Sequence, residues 1–389
     1  MKKALVASLP DPSGNPRPNR AIKLLYNMGF EVHTLSPRLK YKMKEVTLTF
    51  EINPSEISNS FKIFRRLLLL INSLAGIFKL GISFFHKTYS LIWKIKDQEE
   101  RLKNEYYNLI IVEDLTLLPF FVKNYTNKSK IILDAREYYP KEMEGSFYFR
   151  HIVAPEKRHL CKLLLKKIDG FYTVSNGLAE LFEREFSIRP EVIRSTPYYN
   201  KVKYKPIKDF PVKLVHHGVA NRDRLLENMI FVLAGLEGRY TLDFYLTGDE
   251  NYIRELKVLG HKSKNVNFHD PVPFSEINEM LCSYDIGFYF LVPAGFNTKF
   301  NLPNKFFEFI QAGLGVVIGP SPEMSLIAQE FGVGIISDDF TVQSMIKTLK
   351  SKSLKDLNLI KNNSIEVALQ LSWETESKKL ESIIKNLMV

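Results

Sequence analysis

Apolar residues in this chain fall into short runs separated by stretches of helical periodicity. In the first half the runs are residues 4–8, 31–35, 47–52, 109–112, 131–134, 170–174 and 191–194, most of them rich in Val, Ile and Leu. Continuous apolar runs this short suit strands buried on both faces. Helical patterns, the first at residues 19–28, precede or follow most of them. Strand–helix alternation predicts a largely parallel sheet covered by helices on both sides. A polar stretch with Pro and Lys, 198–211, reads as a linker. The pattern then restarts with runs at 212–216, 242–246, 266–269, 286–290, 316–318 and 334–336. The expectation is an α/β chain of two doubly wound, Rossmann-like domains, 1–200 and 211–365, with a last helical segment at 366–389. Two such domains would place a cleft between the carboxyl ends of two sets of strands, where open parallel sheets bind ligands.

One region departs from this pattern. Between Phe61 and Lys103 lie nine basic residues (Lys62, Arg65, Arg66, Lys79, Lys87, Lys94, Lys96, Arg101 and Lys103) against Asp97, Glu99 and Glu100, a local excess of +6. Bulky apolar groups alternate with them, from Leu67 to Ile71 and on to Trp93. Such a mixture suits a helix lying on an anionic lipid surface, or a core helix with a basic solvated face. Arg65, Arg66, Asn72 and Lys79 interrupt the roughly 20 apolar residues that a spanning helix needs.

The whole chain of 389 residues carries a net charge of +11, with 45% hydrophobic and 25% charged residues. This is a globular composition with room for two cores. Its two cysteines, Cys161 and Cys282, argue against a disulfide framework and for a reducing compartment. The apolar run after Met1-Lys2-Lys3 stops at Pro10 without a cleavage-site pattern, so it reads as a strand and not as a secretion signal. Neither Asp-x-Asp nor a zinc-binding spacing occurs, so no metal is expected. Gly-x-Gly-x-x-Gly, the phosphate-binding Walker pattern and Gly-x-Ser-x-Gly are also missing. Basic residues cluster on an aliphatic segment without stacking platforms, which argues against nucleic acid as a partner.

Residues 297–313 carry the clearest chemistry. Pro303 and Asn304 are suited to opening a helix that runs from about Lys305 to Ala312, with Gly313 ending it. Its first turn offers unpaired N–H groups and a positive dipole end to a diphosphate. Lys305 adds a full charge, and Glu308, one turn on, could accept from the two hydroxyls of a ribose. The plainer alternative is a capped helix with an exposed Glu. After the first run of the second half come Gly218, a turn, and Arg222 and Arg224, either of which could grip a phosphate or pair with Glu227. Gly248 follows the next run. In the first half, the loop at 8–19 brings Asp11, Ser13 and Gly14 between a strand and a helix. Asp134-Ala-Arg136-Glu137 follows another strand. Arg136 could hold an anion, or pair with Asp134 or Glu137.

Asn297, then Leu302-Pro303-Asn304-Lys305-Phe306-Phe307-Glu308, Ala312-Gly313-Leu314 and Glu323-Met324 resemble the donor-binding region of GT-B glycosyltransferases similar to glycosyltransferase family four. The likeness extends along nearly the whole chain. Gly218 with Arg224-Leu-Leu-Glu227 is similar to a Gly and a later Arg-Gly-Leu-Glu of that family. Asp134-Ala-Arg136-Glu137 is similar to its Asp-Ala-His-Glu, with Arg136 in place of His. The chain also has Gly315 where Pro is usual, and Phe300 where many members carry a first Glu; that role is left to Asn297 or Asn301.

The resemblance implies a GT-B fold, with an acceptor-binding first domain, a nucleotide-sugar-binding second domain and a last helix from about Trp373 crossing back to the first. It assigns donor contacts to Ser13, Gly14, Gly218, Arg224, Gly248, Asn304, Lys305 and Glu308. Chemistry at the sugar falls to Arg136, Glu137, Asn297 and Asp11, with Asp11 or Glu137 as the base if the reaction inverts. It further implies sugar transfer from a nucleoside diphosphate sugar, without metal or cofactor and with retention, to a hydroxyl of a glycan or lipid-linked acceptor. The expected location is the cytoplasmic face of an anionic membrane. The rival readings are a sugar-nucleotide 2-epimerase and a non-catalytic homologue that binds membrane or glycan.

Overall fold

The structure, a computed structural model, describes residues 1–52, 58–293 and 295–388. It divides into two compact units, Met1–Arg194 with Ser377–Val389, and Ser195–Glu376. In the first unit the chain forms β1 (Lys3–Ala7), α1 (Pro16–Asn27), β2 (Glu31–Ser36), β3 (Val46–Glu51), α2 (Asn59–Ile77), α3 (Ile82–Ile92) and α4 (Glu99–Lys103). It continues through β4 (Leu109–Val112), α5 (Leu118–Tyr125), β5 (Lys130–Ala135), α6 (Ala154–Leu164), β6 (Gly170–Thr173), α7 (Asn176–Phe186) and β7 (Glu191–Val192). All pairings are parallel, in the order β3-β2-β1-β4-β5-β6-β7. Ala4 faces Val32 on one side and Leu109 on the other. Every residue of β4 is buried, as a strand covered on both faces requires. Strand order reverses between β1 and β4, which opens a crevice at their carboxyl ends.

The second unit repeats the plan with β8 (Val212–Ala220), α8 (Glu227–Ala234), β9 (Tyr240–Gly248), α9 (Glu250–Gly260), β10 (Val266–His269), α10 (Ile277–Leu281) and β11 (Ile286–Tyr289). There follow α11 (Phe296–Lys299), α12 (Asn304–Gln311), β12 (Gly315–Ile318), α13 (Pro322–Glu330), β13 (Gly334–Ile336), α14 (Val342–Lys350), α15 (Leu354–Val367) and α16 (Trp373–Leu387), whose residues from Ser377 on belong to the first unit. The order β10-β9-β8-β11-β12-β13, again all parallel, reverses between β8 and β11. One core lies on each face of this sheet, with Leu214, Phe244 and Phe288 on one side and Val215, Phe307 and Val316 on the other.

Each apolar run expected to be a strand is one. β8 and β9 are longer than their apolar runs because they stay paired through His217, Thr247 and other residues that a count of apolar positions omits, up to Ala220 opposite Gly248. The units divide at 194/195 and 376/377. Just past the first boundary, Asn200 N–H donates to Gln311 Oε1 at 3.0 Å, and Pro197 O accepts from Trp373 N–H at 2.7 Å, both within the second unit. In the first unit, Leu380 and Ile384 of α16 are buried, and Lys379 Nζ donates to Val192 O at 3.2 Å. The basic segment forms separate helices. Phe85, Tyr89 and Ile92 make α3 a core helix, and no helix among the described residues is long and apolar enough to cross a membrane.

Candidate active site

In the second unit the site residues collect at the carboxyl ends of β8, β9 and β11, beside the strand-order reversal. Pro303 precedes α12 with extended backbone, so the helix opens at Asn304, and no side chain caps it. The N–H groups of Asn304 and Lys305, at the first two helical positions, have no intrahelical acceptor. The Lys305 side chain lies along β8 at Gly218. A Cβ on Gly218 would fall 2.0 Å from Lys305 Cε and 2.3 Å from Nζ, and Gly218 has φ of +120°. Only glycine admits both that backbone and that approach. Burial and the neighbouring Arg224 push the Lys305 amine down to about 8, partly opposed by Glu308. A cation so desolvated gains most from an anion arriving beside it.

The two arginines separate cleanly. Arg222 is exposed and grips Glu255 through both guanidinium nitrogens, at 2.8 and 2.6 Å. Arg224 has a buried Nη1 with no hydrogen-bond partner. Glu227, the alternative partner for either, accepts instead from the Tyr252 hydroxyl. Arg224 is therefore the arginine left available for a phosphate.

Two histidines that the sequence analysis did not assign belong here. His216 is fully buried, and its Nδ1 is 2.8 Å from Phe288 O across the β8–β11 reversal. A carbonyl only accepts, so Nδ1 carries the proton and Nε2 presents a lone pair. That Nε2 is buried without a partner. Burial, then the Lys305 charge, hold the ring well below its ordinary pKa and hence neutral. His217 Nε2 is 3.3 Å from Glu308 Oε2 but lacks hydrogen-bond alignment. Its ring meets Phe309 edge-on at 5.5 Å. Gly248 ends β9 with φ of +107° and leads into Asp249, whose carboxylate caps α9 through the N–H groups of Asn251 and Tyr252. Asn297 lies on the four-residue α11, and Glu323 is buried in the first turn of α13.

The first unit gathers a different set. Asp11 is a turn-forming residue: its carboxylate accepts from Ser13 N–H at 2.8 Å, Ser13 Oγ at 2.7 Å and Lys40 N–H at 3.1 Å. Ser13 Oγ in turn accepts from Tyr41 N–H at 3.0 Å. Both carboxylate oxygens are thus engaged in holding the loop. The side of Gly14 that a Cβ would occupy is open apart from Asp11 Oδ2 at 4.0 Å. Glu137 is exposed.

Arg136 pairs with neither Asp134 nor Glu137, but with Glu113, just past β4. Asp134, fully buried, is held by Arg17 Nε at 2.8 and 2.6 Å, while Arg17 Nη1 donates to Ile193 O at 3.1 Å. Burial pushes the Glu113 carboxyl up to about 7, with Arg136 opposing and Asp134 reinforcing the shift. Glu113 Oε1, Arg17 Nη2 and Arg136 Nε are all buried without hydrogen-bond partners. Two arginines and two carboxylates thus meet at the ends of β4 and β5, with one carboxyl poised near neutrality. Such a group can exchange a proton at physiological pH.

No family model matches the sequence, and no curated protein does. Solved structures do share the fold. Sucrose-phosphate synthase from Thermosynechococcus elongatus is 10% identical, covers 100% of this chain over 99% of its own, and superposes with a TM-score of 0.70. HepE of Anabaena, in complex with UDP and glucose, is 11% identical over 99% of this chain and 100% of its own, with a TM-score of 0.69. WaaG, a glycosyltransferase involved in lipopolysaccharide biosynthesis, is 13% identical over 98% of this chain and 99% of its own, with a TM-score of 0.63. The chain has the α/β, two-domain GT-B fold.

Proposed function

We propose that the protein is a glycosyltransferase that moves a sugar from a nucleoside diphosphate sugar to a hydroxyl of a glycan or lipid-linked acceptor. The observation that carries this reading is the desolvated Lys305 amine lying over Gly218, next to an unpartnered Arg224 nitrogen and the open first turn of α12. Together they supply two cations and two backbone donors at one sheet edge, as a diphosphate requires. Charge grows on the leaving diphosphate as the glycosidic bond breaks. Donors fixed in advance against that charge lower the barrier without reorganising. Lys305 and Arg224 fill the role that a divalent cation has elsewhere, so the reaction is proposed to be metal-independent. In this reading Glu308, beside His217, accepts from the ribose hydroxyls, and the His216 lone pair accepts from one further ligand hydroxyl.

The first unit takes the acceptor. If the leaving phosphate removes the acceptor proton, as retention allows, no side-chain base is needed. If the reaction inverts, Glu113 suits the base role better than Asp11 or Glu137, because its free oxygen and near-neutral carboxyl permit proton uptake. The complexes of HepE with UDP and with UDP-glucose make UDP the first donor nucleotide to test. Two unbridged cysteines and the basic surface support a site at the cytoplasmic face of a membrane. An epimerase would want several acids around one sugar carbon, whereas the donor side described above offers Glu308.

Incubation with a panel of UDP-sugars should give slow hydrolysis of one of them, abolished by Lys305→Ala. Interconversion of two donors would establish an epimerase. Neither turnover nor binding of any nucleotide would sink the reading.

A further inference from the structure

Helix α2 is amphipathic in the opposite sense to an ordinary surface helix. The side against its own unit is mostly small or polar: Asn72, Ser73, Ala75 and Gly76 are buried there with Leu68. Gly76 lies so close to α6 that a Cβ would fall 2.3 Å from Glu156 Cα. Ser73 Oγ donates to Glu156 Oε2 at 3.1 Å, and Tyr89 of α3 donates to the other oxygen. The outward side is apolar. Ile63, Leu67, Leu70, Leu74 and Ile77 recur at spacings of four and three, so they form one stripe. Phe78 extends it. Ile63 is 69% exposed, Leu67 52% and Phe78 74%, so among the described residues the stripe is left uncovered. A run of bulky exposed groups on one helix marks an interaction surface.

Charge selects the partner. Residues 57–96 contain no Asp or Glu. Exposed Lys62 and Arg66, one turn apart, flank the stripe, and exposed Lys79 and Lys87 follow it. Arg65, by contrast, is stacked 4.2 Å over the Trp93 ring and serves the fold. A second copy seated stripe to stripe would bring two basic rims together in a chain of net charge +11. An anionic bilayer offers hydrocarbon to the stripe and phosphates to its rim at once.

We propose that α2 is a lipid-docking helix that lies in the interface of an anionic membrane, its Ile63–Ile77 stripe among the acyl chains and Lys62, Arg66 and Lys79 on headgroup phosphates. This specifies the membrane half of the functional reading and does not depend on the donor half.

The test is co-sedimentation of the full chain with phosphatidylcholine vesicles, with and without phosphatidylglycerol, at low and high salt and without nucleotide. UDP affinity and melting temperature are measured on the same preparations. Wild type should bind the phosphatidylglycerol vesicles and release as salt rises. Leu67→Glu with Leu74→Glu should remain in the supernatant with unchanged melting temperature and UDP affinity. Lys62→Glu with Arg66→Glu should weaken partitioning by about tenfold or more. Wild type that ignores phosphatidylglycerol vesicles at low salt overturns the proposal, as does a Leu67/Leu74 double variant that binds normally. A lipid-free dimer split by that variant would assign the stripe to a second copy. Because UDP binding is read independently, failure here is distinguishable from failure of the donor assignment.

Discussion

Gly218→Ala tests the donor cradle without touching any charged group. The added methyl would arrive 2.0 Å from Lys305 Cε and 2.3 Å from Nζ. Carbon atoms in contact sit about 3.5–4.0 Å apart, so the end of the lysine must retreat by about 1.5 Å or more. An amine that far from its place cannot hold the same phosphate oxygen. The loss expected is that of one charge-assisted hydrogen bond, about 1.5–3 kcal/mol, or roughly tenfold to 150-fold in affinity. The φ of +120° adds backbone strain of about 1–3 kcal/mol, which lowers stability but not affinity. Calorimetric titration with UDP at pH 7, where Lys305 is charged, measures the first quantity, and thermal melting the second. In Lys305→Ala the methyl has nothing left to displace, so the double variant should bind UDP no worse than Lys305→Ala alone. Wild-type affinity in Gly218→Ala, or losses that simply add in the double variant, would refute the cradle.

Three further outcomes follow from the same geometry. With its amine lowered to about 8, Lys305 is charged below that pH and neutral above it, and bound phosphate favours the charged form. UDP affinity should therefore hold steady from pH 7 to near 8 and fall above it, by up to about tenfold per unit, and Lys305→Met should remove the dependence. Arg224→Ala should weaken UDP binding by about tenfold or more, while Arg222→Ala, which releases only Glu255, leaves it unchanged; the reverse ranking in titrations would reassign the phosphate contact. Glu113 keeps its proton to higher pH when folded than when unfolded. Its contribution to stability is therefore full below the ordinary carboxylate range and lost as pH rises through about 7. Glu113→Gln should flatten that part of the melting-temperature profile between pH 5 and 8, and Arg136→Ala should steepen it by removing the countercharge.

The strands were legible because burial on both faces writes itself into consecutive residues: Leu109-Ile-Ile-Val112 can hardly be anything else. The start of α12 was legible too, since Pro303 and Gly313 bracket the helix locally. Pairings across the sheet left no such trace. Arg17 meets Asp134 and Arg136 meets Glu113 because β1, β4 and β5 lie side by side, and nothing near Arg136 in sequence points to Glu113. The choice between Arg222 and Arg224 likewise depends on Glu255, on the next helix but one. His216 passed as part of a strand; the lone pair it offers follows from a tautomer set by Phe288 on another strand. In the basic segment, composition treated α2 and α3 alike. Only packing shows that α3 turns its aromatics inward while α2 leaves its leucines outside.

The contact between Gly76 and Glu156 also bears on how fast and how tightly a surface can be engaged. Many membrane-active segments are coils that become helical on arrival, and they lose about 1–2 kcal/mol of backbone entropy per residue at that moment. Here the Ser73–Glu156–Tyr89 network and the close helix crossing have already set that order during folding. The stripe arrives rigid, so no helix is gained on vesicles, and far-ultraviolet circular dichroism should not change. Attachment then resembles the docking of a preformed face more than coupled folding. Its rate should follow electrostatic steering and ionic strength, with no slow structural phase after contact.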